Sequence, residues 1–201
     1  SPPQWLPSSL SLVNFEKAFS MAPFARYFLN SVVVMVCSVT ITTFTTILGA
    51  FAFSRLKFPG RDTLFSLLLS LMMIPFEMLI ITNYSTIVKM GLIDTLAALI
   101  IPFTTSIFYT YILRNFFLSV PDSLYYSARV DGAGNWTYLW RIMVPIAKPA
   151  LVTIGLLNAI TCWNSFLWSV LVTNSTEVRT LPFGLYAFMT SSGIRYERLM
   201  A

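Results

Sequence analysis

Histidine is absent from the 201 residues, acidic side chains number eight and cysteines two. Each shortage removes a class of function. Without histidine, the commonest general base and the commonest zinc ligand are missing. No close pair of carboxylates and no ligand-spaced cluster of Cys, Asp or Glu replaces it, so enzymatic and metal chemistry have no candidate residues and no cofactor is expected. A glycine-rich phosphate loop is lacking too, so any ATP that drives this chain is hydrolysed on another. Cys37 and Cys162 both fall inside apolar runs, where they are expected as small apolar side chains rather than a disulfide. Charged residues make up only 10% of the chain, well below the roughly one quarter usual in a soluble domain. The net charge of +5 belongs, in so apolar a sequence, to loops held on the cytoplasmic side and not to a nucleic-acid partner.

What is present is hydrophobic: 56% of the residues. A bilayer core about 30 Å thick takes roughly 20 apolar residues per helix. Four segments meet that length: Phe28 to Phe53, Thr63 to Asn83, Leu92 to Leu113, and Pro149 to Thr173. None has the form of a signal peptide. The expected fold class is an all-α integral membrane protein, a polytopic helix bundle formed by residues 1–201 as one transmembrane domain.

Loop charge sets the orientation. Arg55, Lys57 and Arg61 crowd the short loop after the first span, and Arg114, Arg129, Arg141 and Lys148 follow the third. With four spans both loops share a side, which the positive-inside bias makes cytoplasmic. Tyr84 to Gly91 has one base, Lys89, and fits the outside. The outer ends, Ser1 to Arg26 and Asn174 to Arg198, hold Lys17, Arg26, Arg179, Arg195 and Arg198, but long outer segments count little in this rule. An outer N-terminal segment, and an apolar turn at Tyr196 to Ala201, predict one further span before Ser1 and one after Ala201.

Polar residues inside the spans form stripes. Ser31, Ser38, Thr42, Thr45 and Gly49 recur at helical spacing on the first, Ser66, Ser70, Met73 and Glu77 on the second, and Gly155, Asn158, Cys162, Ser165 and Ser169 on the fourth. Such faces let membrane helices approach closely, or they line a path for a hydrated solute. Asn158, Asn164 and Ser165 are the path candidates, together with Glu77. A lone intramembrane carboxylate is a functional candidate unless it reaches the outer interface. Pro75 and Pro102 predict breaks that neighbouring helices must satisfy.

Residues 118–147 are far longer than a turn between spans requires. Pro121-Asp122-Ser123 predicts a helix start capped by Asp122 or Ser123, and Asp131-Gly132 its end. Asn135 is expected to cap a second helix through Trp136 and Trp140, stopped by Pro145. Such a pair either docks onto a partner at the membrane surface or lies in the lipid headgroups.

The order Ala128-Arg129-Val130-Asp131-Gly132-Ala133, Trp140-Arg141-Ile142, Val144-Pro145 and Lys148-Pro149-Ala150-Leu151 resembles the cytoplasmic loop of permease subunits in binding-protein-dependent ABC importers. Phe58-Pro59-Gly60-Arg61-Asp62, Met73-Ile74-Pro75, Gly91-Leu92-Ile93-Asp94-Thr95 and Trp163-Asn164-Ser165-Phe166-Leu167-Trp168 resemble its carbohydrate-uptake, maltose-permease-like branch. The resemblance implies a MetI-like permease bundle of six spans in a bacterial inner membrane. It implies ATPase subunits docking at 118–147 through Tyr126, Ser127, Ala128, Asp131, Gly132 and Pro145. It also implies a second, related permease as heterodimer partner, an extracytoplasmic solute-binding protein meeting Asn174 to Arg198, and a sugar or sugar-like cargo. One departure stands out: the family's Glu-Ala-Ala aligns with Tyr126-Ser127-Ala128, and a tyrosine can pack or donate a hydrogen bond but cannot form the ion pair. The rival readings are a secondary transporter or channel using Glu77, without an ATPase, and a membrane scaffold whose long loop recruits a soluble protein.

Overall fold

The computed structural model describes residues 22–191, and among them every regular element is helical. Helix α1, Phe24–Arg55, runs unbroken for 32 residues. At 1.5 Å per residue it is about 48 Å long, enough to cross a bilayer core and project from it. The other long apolar segments are bent. Helix α2 (Arg61–Leu71) meets α3 (Phe76–Lys89) at 96°. Helix α4 (Leu96–Ile100), extended to Phe103 by a 3₁₀ turn, meets α5 (Ile107–Ser119) at 46°. After α6 (Asp122–Val130), helix α7 (Asn135–Ile146) meets α8 (Lys148–Trp163) at 77°. Short α9 (Leu167–Val172) and α10 (Leu181–Ser191) close the described chain. By length and composition α1 can cross a membrane alone, and up to four segments can if each bent pair is one crossing.

Three predicted boundaries are corrected by these bends. The second span is two helices, because Pro75 has no N–H to continue α2 and its extended backbone starts α3 instead. Ser66 and Ser70 therefore do not share a helix face with Met73 and Glu77. The third segment begins its helix at Leu96 and runs on to Ser119, past the predicted Leu113. The fourth breaks after Trp163, which separates Asn158 and Cys162 from Ser169 in α9.

Helix α1 is the axis of the packing, with α5, α8 and α10 against it. In lipid, apolar surface gives helices little reason to associate, so close approach and hydrogen bonds carry the work. The stripe on α1 supplies both. Thr42 Oγ1 donates to the Phe103 carbonyl at 2.6 Å and Thr45 Oγ1 to the Thr104 carbonyl at 2.7 Å. Those carbonyls lie in the break around Pro102, so two hydroxyls of α1 satisfy the backbone that the break frees. Thr46, outside the predicted stripe, is fully buried, whereas Thr45 is half-buried. Near the other end Gly184 of α10 lies so close to the Tyr27 ring that a Cβ would overlap it.

Two apolar clusters occupy opposite ends of α1. Val34, Ile87, Ala98, Leu99, Trp168 and Val172 form one, and Trp168 Nε1 donates to the Ala98 carbonyl at 2.9 Å within it. Phe51, Leu113, Phe117, Tyr138, Met143 and Ile154 anchor the other. The predicted loop sides follow the same division. Residues 174–181 meet the Arg26 end of α1, and residues 117–122 meet its Arg55 end. Ser1 to Met21 and Ser192 to Ala201, with Lys17, Arg195, Arg198 and the apolar turn at Tyr196, lie outside the described residues.

Candidate functional site

Helix α6 carries most of the predicted docking residues. Its end is a Schellman turn: the Ala133 N–H donates to the Ala128 carbonyl at 2.8 Å and the Gly132 N–H to the Arg129 carbonyl at 3.1 Å. Gly132 sits at φ +80°, with open space where a Cβ would stand, so conformation rather than room selects glycine there. Ala128 is buried beneath the helix, while Ser127, Asp131 and Gly132 are exposed and Tyr126 is 60% exposed. The face of α6 directed away from the bundle is thus Tyr126, Ser127, Val130 and Asp131.

The predicted caps are not used. Pro121 holds the N-cap position of α6 without a side-chain bond, and Asp122 turns instead to Arg55. Gly134 holds the N-cap of α7, and Asn135 Oδ1 accepts from the Tyr125 hydroxyl at 3.1 Å. Nor does Pro145 stop α7. A π-helical turn, Leu139–Met143, precedes it, and the helix passes through Pro145 to Ile146 before bending. A π turn shifts the bonding register by one residue, which relieves the missing proline donor locally. Pro145 is exposed on that last turn.

Arg55, the final residue of α1, fastens this segment to the bundle. Its side chain is 6% exposed and pairs with Asp122 at the first turn of α6. Its Nη2 also donates to the carbonyls of Phe117 at 2.7 Å and Val120 at 2.5 Å, which end α5. Beside it, Tyr138 of α7 is fully buried between Tyr125 and Phe51, with ring centroids 5.0 and 6.4 Å away. Sequence reasoning counted Arg55 only as a loop charge and missed both anchors. The partners of Arg55 lie 62 to 67 residues away, so no local pattern marks them.

The path candidates divide. Asn158 and Ser165 line one cavity of ≈ 70 Å³ between α1, α8 and α9, together with Ser31, Ser38, Cys162 and Ser169. The Asn158 Nδ2 is buried there without a partner. That volume suits a few waters and falls well short of the ~300 Å³ at which ligand pockets begin. Asn164 lies outside the cavity, exposed, its Nδ2 donating to the Ile160 carbonyl at 2.9 Å to finish its own helix. Glu77 is exposed at the first turn of α3, where the helix dipole favours a carboxylate.

At the Arg26 end a second set of polar contacts holds residues 174–181. Asn30 Nδ2 donates to the carbonyls of Glu177 at 2.8 Å and Arg179 at 3.0 Å, and Ser31 Oγ accepts from the Leu181 N–H at 2.8 Å. Asp94 Oδ1 accepts from the N–H groups of Ser175 at 2.9 Å and Asn174 at 2.8 Å. Those amides, Ser175 first, hold the Asp94 carboxyl below the ordinary aspartate range. Asp94 takes φ +61° to reach them.

Residues 18–197 match the family model described as "Binding-protein-dependent transport system inner membrane component". The arabinooligosaccharides transport system permease protein AraQ of Halalkalibacterium halodurans is 32% identical over 97% of this chain and 70% of its own length. The sn-glycerol-3-phosphate transport system permease protein UgpE of Yersinia pestis bv. Antiqua is 33% identical over 85% of this chain and 61% of its own length. A bacterial ABC transporter involved in the import of the acidic polysaccharide alginate, solved by crystallography, is similar with a TM-score of 0.86 and 27% identity. That likeness covers 96% of this chain and 68% of the solved one.

Proposed function

The chain belongs to the family of inner membrane components of binding-protein-dependent transport systems, and on that premise we propose how its parts divide the work of import. As a permease of an ABC importer it performs no chemistry of its own, and ATP is hydrolysed on a separate subunit. Its likeness to permeases of arabinooligosaccharide and glycerol-phosphate uptake supports a sugar or sugar-like solute as the cargo. A second, related permease completes the membrane path, and an extracytoplasmic binding protein delivers the solute to residues 174–181.

The ATPase docks on the outward face of α6, at Tyr126, Ser127, Asp131 and Gly132, with Ala128 as the floor that seats the helix and Pro145 at the edge of α7. One observation carries this reading: α6 presents an exposed face while Arg55 pins its first turn to the end of the longest helix. A push on α6 therefore reaches α1 through the Asp122–Arg55 ion pair, while two hydrogen bonds hold Arg55 to the end of α5 next to it. With Tyr126 in place of an acidic residue, docking rests on shape and on the aromatic hydroxyl. The cavity at Asn158 and Ser165 is this chain's share of the path, narrow here and widened as α8 and α9 part from α1. The rival that uses Glu77 as an ion site is disfavoured, because Glu77 is exposed and stands apart from that cavity.

Purification of the complete transporter tests the reading. The ATPase should co-purify with the wild-type permease, and reconstituted vesicles should take up arabinooligosaccharides or sn-glycerol 3-phosphate only with ATP and a binding protein. Uptake by the permease without an ATPase would overturn it.

A further inference from the structure

A groove of ≈ 780 Å³ opens where three helices end together. Its walls are Arg55, Lys57, Phe58 and Arg61 from the α1–α2 connection, and Asp122 and Tyr126 from α6. A second hollow of ≈ 670 Å³ continues along residues 57–63 and shares Lys57 and Arg61.

The charges within reach do not cancel. Arg55 is committed to Asp122, while Arg61 and Arg114 share Asp62 at 3.2 and 3.1 Å. Lys57 is left without a counter-ion among the described residues. The Arg55 Nε–H is buried without a partner, on a side chain already 94% buried. Helix α2 opens beside the groove at Gly60, with no side-chain cap, so its first N–H groups add their own positive end. Lys57 and the α2 N-terminus thus face a hollow whose two acids, Asp122 and Asp62, are already paired with arginines.

We propose that this groove binds the phosphate headgroup of an anionic phospholipid from the leaflet that the loops face. The placement argues for lipid over a soluble anion. The groove lies at the ends of α1, α2 and α5, where basic hollows between membrane helices meet headgroups. Phe58 is exposed at its rim, an aromatic body that can meet the acyl-chain boundary. The phosphate sits between the Lys57 ammonium and the α2 N-terminus, and its acyl chains run along the lipid-facing side of α2, where Leu64 and Leu67 are exposed. Because Arg55 and Asp122 form one wall, the lipid abuts the joint that holds the docking helix. The site rests on the orientation given under Proposed function, but its test reads lipid rather than ATPase.

The complete transporter is reconstituted into nanodiscs of phosphatidylcholine mixed with phosphatidylglycerol, extracted gently, and examined by native mass spectrometry for retained phosphatidylglycerol. Wild type should retain it, Lys57→Gln should retain it about five-fold less, and Lys57→Arg should restore it. Equal retention in Lys57→Gln would overturn the site. Displacement of phosphatidylglycerol by millimolar inorganic phosphate would overturn the lipid assignment in favour of a soluble anion. Loss of the ATPase from Lys57→Gln with lipid retention unchanged would show the groove to be a protein contact. Failure of the ATPase to bind wild type would sink the docking reading and leave the lipid result standing.

Discussion

Replacing Arg55 by alanine isolates the joint between the long helix and the docking segment. The substitution deletes two charge-assisted hydrogen bonds to backbone carbonyls, each contributing about 1.5–3 kcal/mol. It also deletes an ion pair whose carboxylate is 75% exposed, which adds only about 0–1 kcal/mol. Water entering the vacated site re-solvates part of the Phe117 and Val120 carbonyls, so the net destabilisation should be about 2–4 kcal/mol. Asp122→Ala removes only the exposed partner and should cost less than about 1 kcal/mol. Thermal unfolding of the detergent-purified permease measures both, and the double variant gives the coupling between them. In the reconstituted transporter, Arg55→Ala should keep most ATP hydrolysis while the solute moved per ATP falls, because the ATPase still docks but α1 no longer follows. Equal costs for the two single variants, or an unchanged solute-to-ATP ratio in Arg55→Ala, would refute the reasoning.

Gly132→Val forces a branched side chain into the left-handed region at a cost of about 1–2 kcal/mol or more, and should reduce ATPase co-purification. Gly134→Ala, at an ordinary φ of −76° with open space, should leave it unchanged. Cys162 is half-buried and lines the cavity, so in a Cys37→Ser background its reaction with a water-soluble maleimide should quicken during ATP-driven turnover; labelling that ignores turnover would remove the cavity from the path. Asp94→Ala should loosen residues 174–181 by about 1 kcal/mol, while Asp94→Asn, which keeps an acceptor and tolerates positive φ, should do less. The carboxyl of Asp94 is held below its unfolded value, so its contribution is complete above about pH 4 and fades as pH falls through the folded value. Hydrogen exchange at Asn174 and Ser175 should therefore quicken in acid in wild type and be insensitive to pH in Asp94→Asn, beyond the intrinsic rate.

The membrane class, the apolar segments and the family were legible in sequence because each is written locally, in composition and in short ordered motifs. Gly132 was legible for the same reason: an αL helix end selects glycine whatever surrounds it. The bends were only half legible. Pro75 and Pro102 predict breaks, but whether the chain resumes in line or at 96° depends on neighbouring helices. Pro145 misleads, because the π turn before it accommodates the ring and nothing in Leu139–Met143 announces that turn. The caps assigned to Asp122 and Asn135 fail for a related reason: Arg55 and Tyr125, distant in sequence, take those side chains first. Asn164 and Asn158 look alike as amides in the middle of one apolar run, yet only the second turns inward.

Among the described residues helix α1 is the one long apolar segment without a joint, and it has an attachment at each end: Asn30 and Ser31 for one, Arg55 for the other. Its length is therefore also an angular setting. Each residue advances the helix by about 100°, so inserting or deleting one residue between Ser31 and Arg55 would twist one attachment a quarter-turn or more out of phase with the other. Among descendants of this chain, gaps should be purged from the stretch between Ser31 and Arg55, however freely its lipid-facing side chains drift.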